Sequence, residues 1–135
     1  MAYREGQKGR VEGMEASGFG MNRRRTGAHY EERAAEWLSG QGVAILEMNY
    51  RTRAGEIDLV GLDGEYLVFF EVKYRSNLRK GAPLLAVTPH KKRQILNTAR
   101  SYLYERRYRA DAPVRFDCVG ITPGGVTWVK NAFTA

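Results

Sequence analysis

The sequence predicts an α/β fold, with a mixed β-sheet of about five strands flanked by helices in the order α-β-β-β-α-β-β. Two observations lead to this prediction. Apolar residues recur at helical spacing near residues 30–41 and 95–103, and short runs rich in Val, Ile, Phe and Tyr lie between and after these segments. A length of 135 residues suits one domain with a core of ordinary size.

Residues 1–26 are predicted to form a flexible basic N-terminal tail. They contain five glycines and the run Arg23-Arg24-Arg25, and they show no periodicity. We expect the folded domain to span residues 27–135, with Thr26 as the N-cap of the first helix. The apolar face of this helix consists of Tyr30, Ala34, Trp37 and Leu38. Gly40 and Gly42 are expected to end it.

Three strands are predicted next, at Val43–Tyr50, Glu56–Leu62 and Glu65–Arg75. The third strand carries apolar residues on both faces, which is typical of a central strand covered on both sides. Glu71 and Lys73 alternate onto the same face as Phe69.

Residues 77–87 form a predicted loop, and Thr88-Pro89 is a strong signal for a helix start. That helix runs to about Tyr108, with Ile95, Ala99, Tyr102 and Leu103 as its buried stripe. Two further strands follow, at Arg115–Ile121 and Val126–Lys130. We interpret Asp117 as the partner of Arg115 in an internal ion pair, and Trp37 as a core residue.

The dipeptide Asp63-Gly64 indicates a two-residue hairpin turn. A turn at these two residues places Asp58 opposite Phe69 and Glu56 opposite Glu71, with all of these carboxylates and Lys73 on one face of the sheet. Asp58 and Glu71 then become diagonal neighbours, roughly 7–8 Å apart at the backbone. A divalent cation bridges such a gap with ligand bonds of about 2.0–2.6 Å.

Clustered carboxylates on a half-buried sheet need compensating positive charge. Lys73 supplies one cation, and a metal ion would supply another. The alternative is that these are rim residues paired with Lys73, Arg75 or Arg53. The hydrophobic runs that flank the carboxylates disfavour a solvated edge strand.

The net charge of +7 is unevenly distributed along the chain. The segment 73–109 holds eleven Lys and Arg and one acid, Glu105, with tyrosines 74, 102, 104 and 108 interleaved. This pattern favours a nucleic-acid partner, and its alternative is a solvated helix face. An acidic membrane surface has less support, because no strongly amphipathic terminal helix accompanies the charge.

A single cysteine, Cys118, excludes an intrachain disulfide and suits a reducing cytoplasm. With only two histidines beside it, the chain lacks the usual ligands for zinc, so a metal here would be oxygen-ligated. No apolar run approaches the roughly 20 residues of a membrane span. The expected protein is therefore cytoplasmic, with no membrane partner.

These residues resemble the PD-(D/E)xK nuclease superfamily and, more closely, the bacterial YraN-type family of Holliday-junction-resolvase-like proteins. The resemblance spans about residues 27–121. One departure is Tyr30, which stands where the family usually has Gly. The matching pieces are Glu31 and Ala34, Asn49-Tyr50-Arg51, Gly55-Glu56-Ile57-Asp58, Phe70-Glu71-Val72-Lys73-Tyr74-Arg75, Lys91, and Arg115-Phe116-Asp117.

The resemblance implies a restriction-endonuclease-like core that binds one or two Mg²⁺ or Mn²⁺ ions. Asp58, Glu71, the Val72 carbonyl and Glu31 would be metal ligands, and Lys73 would orient and help deprotonate the attacking water. Glu56 is assigned to the surroundings of the ligands, and its alternative role is that of a ligand. The residues expected to contact nucleic acid are Arg51, Arg53, Arg75, Lys91, Lys92, Arg93 and Gln94. For Lys91 the alternative is a charge on the first turn of the helix.

The leading hypothesis is a metal-dependent endonuclease that acts on DNA, including branched or damaged DNA. The alternative is a nucleic-acid-binding module, or an accessory subunit, that keeps the fold without cutting. DNA is favoured over RNA, and recognition is expected to use backbone and shape. Resolvase-like enzymes that cut two strands usually use two active sites, which would require a homodimer, although the sequence alone does not establish one.

Overall fold

The computed structural model describes residues 22–75 and 87–134, with side chains from His29 onward. It confirms the predicted α/β fold and its order of elements. These are α1 (Asn22–Gly40), β1 (Ala44–Thr52), β2 (Gly55–Asp63), β3 (Tyr66–Tyr74), α2 (Pro89–Glu105), β4 (Val114–Thr122) and β5 (Gly125–Phe133). Within those ranges, no helix combines the length and the apolar character that crossing a membrane requires.

The strands form one five-stranded sheet in the order β1-β2-β3-β4-β5. All neighbours are antiparallel except β3 and β4, which are parallel and are connected through α2. The prediction that the third strand is central is confirmed. Helix α1 packs on one face of the sheet through Ala34 and Leu38, and α2 packs on the other through Ile95 and Ala99.

The predicted ends of the elements differ from the observed ones by a few residues. Helix α1 already includes Thr26, so Thr26 is not its N-cap. The start of α2 is confirmed: Thr88 caps it by accepting a hydrogen bond from the Lys91 amide at 3.2 Å, and Pro89 follows. Helix α2 ends at Glu105, before Tyr108. The predicted tail lies mostly outside the described residues, as does the predicted loop at 77–87 apart from Val87.

The predicted register of the β2–β3 hairpin is wrong by one residue on each strand. Asp63 pairs with Tyr66, and Leu62 pairs with Leu67. The turn therefore consists of Gly64 and Glu65, with Gly64 at φ 64°, as a turn with glycine at its first central position requires. The observed pairing ends at Leu59 and Phe70. If it continued by one more residue, Asp58 would lie directly opposite Glu71 and not diagonal to it.

Asp117 forms the predicted internal ion pair and also anchors the β5 end of the sheet. Its carboxylate is fully buried and lies 2.8 Å from Nη2 of Arg115. It also accepts hydrogen bonds from Trp128 Nε1 at 2.9 Å and from the Asn131 amide at 2.8 Å. Trp37 packs against the core with its ring nearly perpendicular to that of Trp128, which supports its interpretation as a packing residue.

Candidate metal centre and its basic surroundings

The site forms where the regular alternation of β1 and β2 is interrupted. Met48 and its partner Leu59 pack on the α1 side of the sheet. The next pair, Tyr50 (two residues after Met48) and Ile57 (two residues before Leu59), packs on the α2 side. Residues two apart on a regular strand share a face, so both strands reverse between these pairs. Asn49, at φ 57°, lies at the reversal on β1.

Asp58 lies at the same reversal on β2, between Ile57 and Leu59. The β2–β3 pairing stops at Leu59 and Phe70, next to this residue. Beyond that point the Asp58 carboxylate takes the place of a backbone acceptor, because its Oδ2 accepts the Val72 amide hydrogen at 2.8 Å. The Asp58 carboxylate is therefore held in place by β3.

Three carboxylates meet on the α1 side of this gap. Oxygens of Glu31, Glu56 and Asp58, all half-buried, lie within 4.8 Å of one another. Glu31 comes from α1, whereas Glu56 and Asp58 come from β2. Glu56 is also 3.5 Å from Nε of Arg51, which moderates its charge. The sequence assigned Glu56 to the surroundings of the site, but the structure makes it a member of the cluster.

Glu71 approaches from the opposite side. Its neighbours Phe70 and Val72 pack toward α1, so the Glu71 side chain faces α2. There, Oε2 lies 3.8 Å from the Lys91 ammonium. The prediction that all the carboxylates and Lys73 project from one face of the sheet is therefore wrong. Glu71 and Asp58 interact through the gap between β2 and β3, because the reversal of β2 at Asp58 leaves Glu56 and Asp58 on the side of Glu31.

Burial and mutual repulsion raise the pKa values of these acids. Burial is the main cause that raises the pKa of Glu31 to about 7, and a hydrogen bond from Asn49 acts in the opposite direction. Burial and then the charge of Asp58 raise the pKa of Glu71 to about 7, against the charges of Lys91 and Lys73. The pKa of Asp58 is raised well above its usual range by burial and by the charge of Glu31.

This donor set fits a hard divalent cation. All of its ligand atoms are carboxylate oxygens, which Mg²⁺ and Mn²⁺ prefer. Oε1 of Glu71 is buried and has no hydrogen-bond partner among the described residues, so it is available for a ligand. A bound cation would also offset the repulsion that raises the three pKa values. Cys118, opposite Glu71 on β4, has its pKa raised to about 11 by burial, and its soft sulfur is a poor ligand for Mg²⁺ or Mn²⁺.

The predicted nucleic-acid contacts separate into exposed and packed residues. Arg51, Arg53, Arg75 and Arg93 are exposed. Lys91 is committed to Glu71, and the Lys92 ammonium lies 5.8 Å from the centre of the Phe133 ring. Gln94 packs against β2 at Gly55, where a Cβ in place of the glycine hydrogen would lie 3.2 Å from the Gln94 Cβ. Gln94 therefore contributes to packing between α2 and β2.

The four interleaved tyrosines also differ in environment. Tyr74 stacks on Tyr30 with 4.1 Å between ring centroids, so the residue that departs from the family pattern fills a packing role. Tyr102 is buried, and Tyr108 stacks on it. Tyr104 is 87% exposed.

Asn49 is the site residue whose role the sequence did not predict. It belongs to the Asn-Tyr-Arg motif, and an asparagine inside an apolar strand pattern is the available signal, since Asn tolerates φ > 0 better than most residues. We expect Asn49→Ala to lower the free energy of unfolding by about 1–2 kcal/mol, because Ala pays the full cost of the left-handed conformation. Urea denaturation measures this.

Asn49→Gly is the matched control for that prediction. Glycine adopts the same φ without strain, so its effect on stability is expected to be smaller than that of Asn49→Ala. It still removes the hydrogen bond to Glu31, and an NMR titration should show a higher pKa for that carboxyl. Equal stabilities for Asn49→Ala and the wild type would contradict the strain argument.

Comparisons with known proteins identify relatives across most of the chain. A family model described as "Uncharacterised protein family UPF0102" matches residues 30–121. A UPF0102 protein of Lachnoclostridium phytofermentans is 48% identical over 115 residues, covering 85% of this chain and 98% of the relative. A UPF0102 protein from Methylococcus capsulatus is 43% identical over 120 residues, covering 86% of this chain and 96% of the relative. One from Alcanivorax borkumensis is 41% identical over 117 residues, covering 83% of this chain and 94% of the relative.

Proposed function

The chain belongs to the uncharacterised protein family UPF0102, the YraN family that its motifs resemble, and we propose that it is a metal-dependent nuclease that hydrolyses phosphodiester bonds in DNA. One observation carries this proposal. Carboxylates of Glu31, Glu56 and Asp58 cluster at a strand gap. Glu71 on β3 interacts electrostatically with Asp58 and Lys73, and its Oε1 is buried without a hydrogen-bond partner among the described residues. Such a cluster destabilises the fold unless a cation occupies it.

The chain's own residues have separate roles in this proposal. Glu31, Asp58 and Glu71 would hold Mg²⁺ or Mn²⁺, with the Val72 carbonyl as a further donor, and Glu56 would help to fix the cluster. When bound, the ion polarises the phosphoryl oxygens and stabilises charge on the leaving oxygen. Lys73 orients the attacking water and helps to deprotonate it, and Lys91 holds Glu71 in place while adding positive charge beside the phosphate.

The proposed substrate is DNA gripped through its backbone. Exposed Arg51, Arg53, Arg75 and Arg93 supply positive charge, so we expect binding to weaken steeply as salt rises. Branched DNA is proposed from the family resemblance. Cutting both strands of a junction would require the two sites of a homodimer.

Cleavage of labelled four-way-junction, flap, single-stranded and linear duplex DNA tests the proposal directly. We expect cutting with Mg²⁺ or Mn²⁺, none with EDTA, and a preference among the four shapes. Separate labels on each strand distinguish nicking from double-strand cutting. If the folded protein binds these DNAs but cuts none with either metal, the nuclease proposal fails and the binding-module alternative stands.

The raised pKa values predict an unusual pH dependence of stability. The folded-state pKa of Glu71, about 7, exceeds its unfolded value of about 4.5, so this carboxyl favours folding below pH 4.5 and loses that contribution as pH rises through 7. The loss is on the order of 3 kcal/mol for such a shift. Compared with Glu71→Gln, which cannot titrate there, the metal-free wild type should lose stability between pH 5 and pH 8.

Metal should reverse this loss. Because the ligands must be deprotonated to bind, Mg²⁺ or Mn²⁺ should raise the melting temperature more at pH 8 than at pH 5. Sodium chloride at matched ionic strength controls for screening. Equal shifts at both pH values, or equal shifts with sodium, would contradict binding at this cluster.

A further inference from the structure

The face of α2 that points away from the sheet carries a continuous basic stripe. Its members follow helical spacing and continue just past the helix end, and all of them are exposed. With a rise of about 1.5 Å per residue, the stripe is roughly 20 Å long. This outer stripe consists of Arg93, Asn97, Arg100, Tyr104 and Arg107.

The outer stripe contains no acidic residue. Within it, Arg100 Nη1 donates a hydrogen bond to Asn97 Oδ1 at 2.9 Å. The nearest acid in sequence, Glu105, is turned aside, where it accepts a 2.6 Å hydrogen bond from the Tyr50 hydroxyl. The positive charge of the stripe therefore faces solvent and complements a polyanion.

Tyr104 lies in the middle of that charge with its ring uncovered. It is 87% exposed, whereas Tyr102 is buried and Tyr108 is stacked on it. Successive bases of an unpaired strand stack on aromatic rings that lie along a positively charged track. A base inside a duplex has no free face for such a ring, so Tyr104 points to an unpaired strand.

The backbone of Arg107, at the end of the outer stripe, has a strained left-handed conformation. It has φ 60°, just after the C-cap Arg106, and its amide bonds to the Tyr104 carbonyl at 3.1 Å. Helices commonly place glycine at this left-handed position because any Cβ is strained there. Arg107 therefore adds a positive charge to the end of the stripe but lowers the stability of the fold. Backbone strain of this kind is typical of functional positions.

We propose that the outer stripe binds an unpaired nucleic-acid strand, with a base stacked on Tyr104 and phosphates paired with Arg93, Arg100 and Arg107. This inference rests on the proposed function and deepens it. The substrate would carry a single-stranded arm beside the duplex that is cut. Lys91, 3.8 Å from Glu71, precedes Arg93 by about 3 Å along the axis of α2 but lies on the sheet side of the helix, so the arm would cross the first turn of α2 between the metal centre and the outer stripe.

Binding of fluorescent oligothymidylate and of a blunt duplex, both in EDTA, tests the stripe without cleavage. Tyr104→Ala is expected to weaken oligothymidylate binding roughly 5- to 100-fold and to leave duplex binding nearly unchanged. Tyr104→Phe, which keeps the ring, should bind like the wild type. Unchanged binding by Tyr104→Ala, or equal losses on both DNAs, would overturn the proposal.

Arg107→Gly separates function from folding. Removing the strained side chain is expected to raise the melting temperature by about 3–6 °C while weakening oligothymidylate binding severalfold. Arg109→Gln is the matched control, since Arg109 is 84% exposed, lies off the stripe and is paired with Asp111 at 3.3 Å. If Arg107→Gly binds like the wild type, or no more weakly than Arg109→Gln, Arg107 has no role in the stripe and the proposal fails.

The outcomes also distinguish this inference from the nuclease proposal. If the wild type cuts nothing but binds oligothymidylate through Tyr104, the proposed activity fails and the stripe stands. If it cuts DNA, Tyr104→Ala should cut blunt duplex normally and flap DNA more slowly, and equal rates on flaps would overturn the stripe. A matched RNA oligonucleotide shows whether the unpaired strand is DNA or RNA.

Discussion

Asp58→Ala is expected to abolish metal-dependent cleavage, with a fall in rate of at least about a hundredfold. Loss of residues that merely support a ligand already costs roughly 10- to 100-fold in metal proteins, and Asp58 lies at the centre of this cluster. It contacts Glu31, holds the Val72 amide and raises the pKa of Glu71. Initial rates on the preferred DNA, measured at saturating Mg²⁺ or Mn²⁺, give the comparison.

Asp58→Asn makes this test independent of folding. The amide oxygen of Asn keeps an acceptor for the Val72 amide, whereas Ala leaves that donor without its partner. Asn also removes a negative charge that repels Glu31 and Glu71. The metal-free Asn variant should therefore melt above the wild type, gain less from added metal and fail to cut.

The DNA affinity of both Asp58 variants in EDTA should equal or exceed that of the wild type, because a negative charge has been removed near the backbone. Cleavage by a folded Asp58→Asn variant at the wild-type rate would show that the cluster is not the catalytic site. A loss of both cleavage and DNA binding would instead indicate a disrupted fold.

Asp117→Ala is expected to cause the largest loss of stability, about 3–5 kcal/mol, without involving the metal centre. Arg115 has 13% side-chain exposure, and removing its buried partner leaves a charge that water reaches poorly. Trp128 Nε1 and the Asn131 amide also lose their acceptor. Asp63, 2.8 Å from Nη2 of Arg115, offsets part of the loss.

Asp111→Ala is the matched control. Asp111 also pairs with an arginine, Arg109, but their side chains are 74% and 84% exposed, so its removal should change stability by less than about 1 kcal/mol. Guanidinium denaturation of both variants gives the comparison. Similar midpoints for Asp117→Ala and Asp111→Ala would contradict the assignment of Asp117 as a structural anchor.

The sequence predicted the contact between Arg115 and Asp117 but not how deeply that ion pair is buried. Arg115 and Asp117 alternate onto one face of a strand, which was sufficient to predict their contact. Their burial depends on β5, which carries Trp128 and Asn131 across to the same carboxylate. The energetic weight of Asp117 therefore comes from contacts made across the sheet.

The hairpin register shows how local turn chemistry can leave two solutions. Asp63-Gly64 and Gly64-Glu65 both satisfy a two-residue turn with glycine in a left-handed position. The observed choice sets Leu62 against Leu67 and directs Asp63 toward Arg115. Arg115 is distant from the hairpin in sequence, so a local pattern cannot choose between the two registers.

By itself, the sequence determined the order of elements, the central position of β3, the cap of α2 and the residue types of the candidate metal centre. These follow from periodicity and local backbone preferences. Only the tertiary structure decided that Asn49 and Asp58 lie at a strand reversal, that Glu71 approaches from the α2 side, and that Tyr104 is exposed while Tyr102 is buried. Each of these depends on packing between segments far apart in the chain, where cross-strand contacts and burial override the regular alternation.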